Sequence, residues 1–275
     1  MTDRRTLIIE AGRTQRHYWA EIWRYRELLY FLAWRDVRVR YKQAVLGVAW
    51  AVIRPLLAML VLTIVFRNIA KLPSENVPYP ILVLAALLPW QLFASGFSEA
   101  GNSLVSNANM ISKVFFPRLI VPASAVIVSL LDFLISAILL AALMIWYGFL
   151  PDWRLLTLPL FVIFAALTAV GAGLWTAALT VKYRDFRFIV PFAVQLGLYI
   201  SPVGFSSAVI PEQWRLLYSL NPMVGAIDGF RWALLGGNIP MYWEGFLISL
   251  AVSLLILGGG IAYFRSVERS FADLI

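Results

Sequence analysis

The 275-residue chain is 61% hydrophobic and 14% charged, has a formal net charge of +8, and contains no cysteine and a single histidine, His17. Soluble domains are roughly 45–50% apolar, so the composition excludes an ordinary soluble protein and predicts one membrane domain over residues 1–275. Disulfides, thiolate metal sites and clustered imidazole sites are excluded, and no metal site is predicted.

The first predicted element is an amphipathic helix over residues 18–42, where Trp and Tyr side chains are mixed with arginines. Aromatic rings and arginines at one level are typical of a helix that lies in the headgroup layer of a membrane. The arginines near the N-terminus precede no apolar h-region, so we expect no cleaved signal peptide.

Six apolar stretches follow, and each is long enough to cross a hydrocarbon core of about 30 Å as a helix. They cover residues 45–66, 81–101, 121–147, 155–181, 189–209 and 241–264. Helices are expected because backbone polar groups in lipid must be paired within their own segment. The sequence thus predicts an all-α integral membrane protein with six transmembrane helices.

The lysines and arginines indicate the orientation of these spans. Most of them lie before residue 43, at 113–118, at 182–187 and after residue 264. With six spans these segments share one side, and loops rich in Lys and Arg stay in the cytoplasm. Both termini are therefore predicted to be cytoplasmic, at the inner membrane. The net charge reflects topology, and no nucleic-acid partner is predicted.

The loop between the second and third spans is unusually apolar. Residues 107–119 are predicted to form a short helix with Met110, Val114 and Phe115 on one side. Such a face suits either the lipid headgroup layer or a groove on a cytoplasmic protein. The residues alone leave both alternatives open.

The outer segment 211–237 is also apolar. Pro211 can start a helix, the pair Asn221-Pro222 ends it, and a second apolar helix runs to Gly236-Gly237. The pattern predicts two short re-entrant helices that dip into the outer leaflet.

The residues before the four lysines exclude a phosphate-binding P-loop in this chain. A phosphate-binding P-loop needs a glycine directly before its lysine, and Lys42, Lys71, Lys113 and Lys182 follow Tyr, Ala, Ser and Val. If ATP drives this protein, another subunit hydrolyses it.

Five stretches, in this order along the chain, together carry a family resemblance. They are RYKQAVLGVAWAVIRP (40–55), LLPWQLF (87–93), NSLVSNANMISKVFFPRLIVP (102–122), VKYRDFR (181–187) and SLNPMVGAIDGFRWALLG (219–236). The chain resembles the membrane subunit of ABC-2 type exporters, specifically the polysaccharide exporters of O-antigen, capsule and teichoic acid type. Family members often carry a hydroxyl residue at Ala44 and Gln at Arg54, and this chain departs from both.

The resemblance implies a permease that homodimerises and pairs with two copies of an ABC ATPase, which binds ATP and Mg, so that this chain holds no cofactor. The implied substrate is a lipid-linked polysaccharide, and membrane lipids surround the dimer. Helix 107–119 becomes the coupling helix that docks on the ATPase, and truncating Phe115 and Phe116 is expected to uncouple export without altering the fold. The implied coupling residues are Asn107, Met110, Lys113, Val114, Phe115, Phe116 and Arg118.

The basic end of the interfacial helix is the candidate cytoplasmic mouth. Its cations bind either ordinary anionic lipid or the pyrophosphate of a lipid-linked glycan, because bidentate arginines suit phosphate oxygens. The resemblance places the bend into the first span at Gly47, where glycine permits the backbone angles that a bend may need. Arg54 either lines the mouth or snorkels to the interface. The residues are Arg35, Arg38, Arg40, Lys42, Gly47 and Arg54.

Two further groups of residues belong to the predicted pathway and its outer gate. Aromatic rings offer flat apolar faces to sugar C–H groups, although rings in spans also serve packing or interface belts. The resemblance implies that spans one and five line the conduit and that the outer helices gate its exit; a plain plug against the bundle is the alternative. The pathway residues are Trp90, Phe93, Phe192 and Tyr199, and the gate residues are Trp214, Asn221, Pro222, Phe230 and Trp232.

Asp132 is the only acid well inside a predicted span. A lone intramembrane carboxylate indicates either ion coupling or a buried hydrogen bond that holds helices together, and the absence of other ionisable groups nearby favours the hydrogen bond. Competing functions are an ion-coupled secondary transporter, with broken helices at Pro89 and Pro202, and an ABC-2 exporter of a smaller lipid or drug. A membrane enzyme is disfavoured because no catalytic cluster is found.

Overall fold

A computed structural model describes residues 18–42, 47–236, 239–268 and 271. Its described part is all-α, without β-strands. The helices are α1 (Tyr18–Arg24), α2 (Arg26–Lys42), α3 (Gly47–Thr63), α4 (Tyr79–Ser106), α5 (Ala108–Ile111), α6 (Ile120–Trp146), α7 (Leu158–Lys182), α8 (Phe186–Ile200), α9 (Glu212–Tyr218), α10 (Pro222–Leu235) and α11 (Trp243–Val267). The predicted start of the first span at 45, the departure at Ala44, and Gly237 lie outside the described residues.

Five segments of the described chain are long and apolar enough to cross a membrane, which makes this a multi-pass membrane protein. They are Ala49–Ile69, Tyr79–Ser106, Ile120–Trp146, Trp153–Lys182 and Trp243–Val267. A π-helical turn, Ile64–Ile69, extends α3, and a 3₁₀ turn, Trp153–Thr157, precedes α7.

The predicted span 189–209 is wrong in its extent. Helix α8 ends at Ile200, and Ser201 is extended with φ −83° and ψ 154°. Pro202 follows, and a proline both lacks the N–H for a helical hydrogen bond and disfavours helical geometry at the residue before it. The helix therefore stops at 15 residues, and the next residues form turns.

Helix α4 lies at the centre of the bundle. It packs against α6, α7 and α10, and 67% of its most apolar stretch is buried. The corresponding share for the first span is 11%, so α3 lies at the periphery. Helix α2, which was predicted to lie in the membrane interface, packs along α6 and contacts α3. Within the described residues, this arrangement leaves one side of α3 without a neighbour.

Helices α7 and α11 cross at small residues. A Cβ added to Gly171 would lie 2.7 Å from the backbone Cα of Leu257, so only glycine fits there. The Thr168 and Ser253 hydroxyls are 2.7 Å apart, and the Trp175 indole donates to the Ile256 carbonyl at 3.1 Å. Close backbone approach with hydrogen bonds across the helices is typical of packing in membranes, where lipid offers no hydrophobic drive for association.

Candidate functional site

The predicted coupling helix is much shorter than 107–119. Only Ala108–Ile111 is α-helical, and the residues after it form turns. Pro117 restricts Phe116 to extended geometry and ends the possibility of a continuous helix. We therefore call residues 107–118 the coupling loop.

The apolar side chains of the coupling loop fall into a buried group and an exposed group. Ile111 and Phe116 are buried, each at 4% exposure, in a cluster with Leu104, Leu174 and Phe264. Val114 and Phe115 are 55% and 66% exposed, and Lys113 beside them is exposed too. Residues 112–115 are therefore the exposed tip of the loop, and Phe116 belongs to the core. Because Phe116 is buried, we expect its truncation to disturb packing, so Phe115 alone is the side chain to change in a test of docking.

Both ends of the coupling loop are tied to other elements. At its start, the Arg35 guanidinium donates to the Asn107 amide oxygen at 2.8 Å. At its end, the Arg118 backbone N–H donates to Glu268 Oε1 at 2.8 Å, and the Arg118 guanidinium donates to the Glu268 carbonyl. Asn107 and Arg118 are thus anchors, while Met110 packs half-buried against the cluster below.

The cations of the predicted mouth fall into two classes. Arg35 pairs with Asp36 at 2.7 Å, and Arg40 pairs with Glu99 at 2.6 Å and with Asp132. Arg38, Lys42 and Arg54 are exposed and form no ion pair within the described residues. Arg38 and Arg54 instead lie over tryptophan rings, at 5.2 Å from the Trp34 centroid and 5.9 Å from the Trp50 centroid. These three cations remain available to an external anion.

Asp132 has ionisable partners that the sequence did not reveal. Its carboxylate accepts hydrogen bonds from the Arg40 guanidinium and the Tyr41 hydroxyl. Burial, reinforced by this hydrogen bond to Asp132, raises the pKa of the Tyr41 phenol, so Tyr41 keeps its proton and donates. Asp132 therefore makes hydrogen bonds, but they are part-buried and join α6 to α2, whereas a buried bond between two spans was expected.

Two cavities flank the Arg40–Glu99 pair. One, of about 490 Å³, is lined by Arg54, Trp50 and Asp132, and the other, of about 440 Å³, is lined by Arg35 and Asn107. Arg40 and Glu99 line both, so this ion pair stands between them. Each volume is in the range of small-molecule sites. The cavities lie between the basic end of α2 and the start of the coupling loop. Gly47, the predicted bend, is the first residue of α3.

The four pathway aromatics do not form one wall. Trp90 is 5% exposed and packs on α8, where a Cβ at Gly197 would lie 2.5 Å from its ring. Phe93 stacks on Phe97 with centroids 5.6 Å apart. Phe192 and Tyr199 are 61% and 63% exposed on the opposite face of α8. Trp90 thus holds α4 against α8, whereas the exposed face of α8 is unpartnered within the described chain.

The predicted gate residues also separate. Asn221 caps α10, accepting from the Met223 N–H at 3.0 Å and donating to the Ser201 hydroxyl at 2.9 Å. Pro222 is the first helical residue, where its missing N–H costs nothing. Phe230 is buried edge-to-face on Phe133, with centroids 5.9 Å apart. Helix α10 is therefore packed into the bundle.

The remaining two gate residues lie nearer the surface. Trp232 meets Trp243 edge-to-face with centroids 5.6 Å apart, and the Arg154 guanidinium lies 5.0 Å from the Trp232 ring. Trp214, on α9, is 54% exposed and belongs to a helix without buried residues.

Arg231 and Asp228 of α10 were missed as structural residues. Arg231 is 1% exposed and donates to the carbonyls of Leu82 at 3.2 Å, Phe205 at 2.8 Å and Val203 at 3.1 Å. Burial raises the pKa of Asp228 to about 6 despite the nearby Arg231. The available signal in the sequence was an aspartate and an arginine three residues apart on an otherwise apolar helix.

Comparison with known proteins identifies the family. A sequence profile described as ABC-2 type transporter matches residues 27–235, from the second residue of α2 through the coupling loop to the end of α10. This chain belongs to the ABC-2 type transporter family. Membership implies, in general, a partner ABC ATPase, and the relatives' names describe permease and transport subunits.

Several relatives cover almost the whole chain. An O-antigen export system permease protein RfbA of Klebsiella pneumoniae is 27% identical over 253 residues, covering 90% of this chain and 95% of the relative. One of the same name from Myxococcus xanthus is 28% identical over 258 residues, covering 93% and 98%. A polysialic acid transport protein KpsM of Escherichia coli is 25% identical over 243 residues, covering 86% and 92%.

Proposed function

We propose that this chain is the permease subunit of an ATP-driven exporter that moves a lipid-linked polysaccharide, of O-antigen type, out of the cytoplasm across the inner membrane. The observation that carries the proposal is the end-to-end similarity to ABC-2 permeases with O-antigen export in their names. Both termini are proposed to be cytoplasmic, so that the coupling loop and the basic end of α2 share the side where ATP is available.

The coupling loop supplies the docking surface for the ATPase. Val114 and Phe115 expose apolar area beside Lys113, while both loop ends are held by hydrogen bonds. An exposed apolar tip on a fixed base suits a groove on a partner protein, because little ordering entropy is lost on docking. Two ATPase copies would bind one tip each on a permease homodimer, and ATP and Mg would reside in the ATPase.

The cations without ion pairs are proposed to receive the lipid-linked substrate. Arg38, Lys42 and Arg54 lie at the end of α2 and the start of α3, and Arg54 lines the larger cavity. A pyrophosphate carries the charge density that such guanidinium groups bind bidentately. Arg40 is committed to Glu99 and Asp132 and would position the helix instead of binding substrate.

The dimer is proposed to form through the unpartnered faces of α3 and α8. The exposed apolar residues of these helices include Leu57, Val61, Phe188, Phe192 and Tyr199. Residues 186–209 would complete a sixth crossing in which α8 is followed by turns. Helices α9 and α10 are proposed to form a re-entrant outer gate, with α10 as its buried part and α9 as its exposed part.

The test is co-purification of the tagged chain from native membranes, with mass spectrometry of the intact complex. We expect a P-loop ATPase at two copies per two permease chains. The variant Phe115→Ser should lose the ATPase and keep its thermal stability, because the ring is already exposed to solvent.

Two controls sharpen that test. Leu150→Ser alters a residue that is 84% exposed beyond the far end of α6 and should keep the ATPase bound. Phe116→Ala should lower stability by about 3–5 kcal/mol, because it empties a core position. Export that stops with an uncoupler while ATP persists, from a chain that binds no ATPase, would overturn the proposal in favour of ion coupling.

A further inference from the structure

Glu268, directly after α11, contacts the coupling loop and the N-terminal helix at once. Its Oε1 accepts from the backbone N–H of Arg118 at 2.8 Å, and its Oε2 accepts from the Tyr18 hydroxyl at 3.0 Å. Its backbone carbonyl accepts from the Arg118 guanidinium. One carboxylate thereby joins Glu268 to Tyr18, 250 positions away in the chain, and to Arg118, 150 positions away. We call Tyr18, Arg118 and Glu268 the clasp.

Aromatic packing surrounds the clasp. Phe271 is 1% exposed and meets Phe264 edge-to-face with centroids 5.2 Å apart. The Arg118 guanidinium lies 5.9 Å from the Phe271 ring, and the Arg265 guanidinium lies 4.6 Å from the Tyr18 ring. The clasp is therefore embedded in packed side chains, which strengthens its hydrogen bonds relative to those of an exposed pair.

The clasp holds the part of the coupling loop that has least structure of its own. Residues 112–118 contain no helix, and their hydrogen-bonded anchor at the far end is Arg118, beside the buried Phe116 and Pro117. Without that anchor the tip could move while Phe116 stayed buried beneath it. A tip that moves with respect to the bundle would absorb the ATPase movement instead of passing it to α4 and α6.

We propose that Glu268 is a positioning residue for ATPase coupling, which holds the coupling loop so that movement at the tip reaches the bundle. The segment after α11 is then a working part of the transmission and not only the end of a span. This inference rests on the proposed docking of the tip on an ATPase. A merely stabilising role for Glu268 would instead lower ATP hydrolysis, export and thermal stability together.

The first experiment measures coupling in proteoliposomes that contain the full permease–ATPase complex. We expect Glu268→Ala to keep the ATPase bound and ATP hydrolysis active, while export per ATP hydrolysed falls about five-fold. Glu268→Gln retains an acceptor for the Arg118 N–H and should restore export per ATP to near the wild-type ratio. Glu244→Ala, at the opposite end of α11, is the matched control and should resemble the wild type.

The second experiment reports the tip directly. The chain contains no native cysteine, so Val114→Cys accepts a single nitroxide label. We expect the label's spectrum to show greater mobility in the Glu268→Ala background and wild-type mobility with Glu268→Gln. A label at Leu150→Cys, far from the clasp, should not change. If Glu268→Ala does not fold, Tyr18→Phe removes one clasp bond alone and should give a smaller change of the same sign.

The outcomes separate the inference from the function beneath it. A wild-type chain that binds no ATPase overturns the proposed function. A wild-type complex that couples normally, with Glu268→Ala or Tyr18→Phe unchanged in export per ATP and in label mobility, overturns the role of the clasp alone. A parallel loss of export, hydrolysis and stability would also overturn it.

Discussion

Asp132 and Arg40 form an ion pair between α6 and α2, although 92 residues separate them in the chain. Tyr41 adds a second hydrogen bond to the same carboxylate. Arg40 also pairs with Glu99 of α4. Helix α2 is thus attached to two long helices through one arginine, which lines both cavities.

Asp132→Asn should lower stability by about 1–3 kcal/mol, because the amide leaves Arg40 or Tyr41 without its acceptor. Glu99→Gln is the matched control. The Glu99 side chain is 51% exposed, so its loss should cost about 1 kcal/mol or less. Thermal unfolding of the purified proteins measures both. Equal losses in the two variants would contradict a structural role for Asp132, and a loss of transport without a loss of stability would point to ion coupling.

Gly171→Ala should weaken the α7–α11 crossing by about 1–3 kcal/mol, because the added methyl meets backbone that has to move. The added Cβ would lie 2.7 Å from Leu257 Cα and 2.8 Å from its nitrogen. Gly258→Ala, on α11, meets nothing within 4 Å and should be neutral or stabilise by about 0.5–1 kcal/mol. Melting temperatures in one detergent compare the pair. A Gly171→Ala variant as stable as Gly258→Ala would show that the helices lie farther apart.

Arg231→Lys should lower stability by about 3 kcal/mol, because one ammonium cannot replace a guanidinium that serves three carbonyls on two segments. The bonds to Leu82, Val203 and Phe205 hold α10 to α4 and to the turns after α8. Arg215→Lys is the control, since Arg215 also donates to two carbonyls but is half-exposed. We expect it to lose about 1 kcal/mol or less. Hydrogen exchange should localise the Arg231 effect to α10 and residues 201–206.

Asp228 should make stability depend on pH, because its pKa is raised to about 6 by burial and by Glu75, against the lowering effects of Ser207 and Arg231. A raised pKa means that the folded protein holds the proton more tightly than the unfolded chain, whose aspartate pKa is about 3.9. The stabilisation from protonated Asp228 is therefore fully present below the unfolded-state pKa of about 3.9 and is lost as pH rises through the folded-state pKa of about 6. Burial raises the pKa of the Tyr218 phenol, so Tyr218 near Arg231 stays protonated throughout this range.

The measurement for Asp228 is the melting temperature of wild type minus that of Asp228→Asn between pH 4 and pH 8. We expect this difference to fall with rising pH up to about 6 and to be flat above about 7. Subtracting the Asn variant removes the contributions of other titrating groups. A difference independent of pH would show that Asp228 ionises as freely as in the unfolded chain.

Much of the fold could be predicted because burial in lipid is a property of long segments. Five of the six predicted spans correspond to helices that can cross a membrane. The exception, 189–209, followed the apolar composition past Ser201-Pro202, where backbone geometry ends the helix. The predicted helix over residues 107–119 was too long for a similar reason. The apolar pattern there suits a helix, whereas Pro117 does not continue one.

The sequence by itself determined the class of protein, the positions of most spans, the family resemblance and the apolar loop between the second and third spans. These features depend on the hydrophobicity of single segments and on the prolines and glycines that end helices within them. Only the tertiary structure decided that Phe115 is exposed while Phe116 is buried, that Asp132 meets Arg40, and that Glu268 meets Arg118. Those relationships depend on how helices far apart in the chain are placed side by side, which local periodicity does not encode.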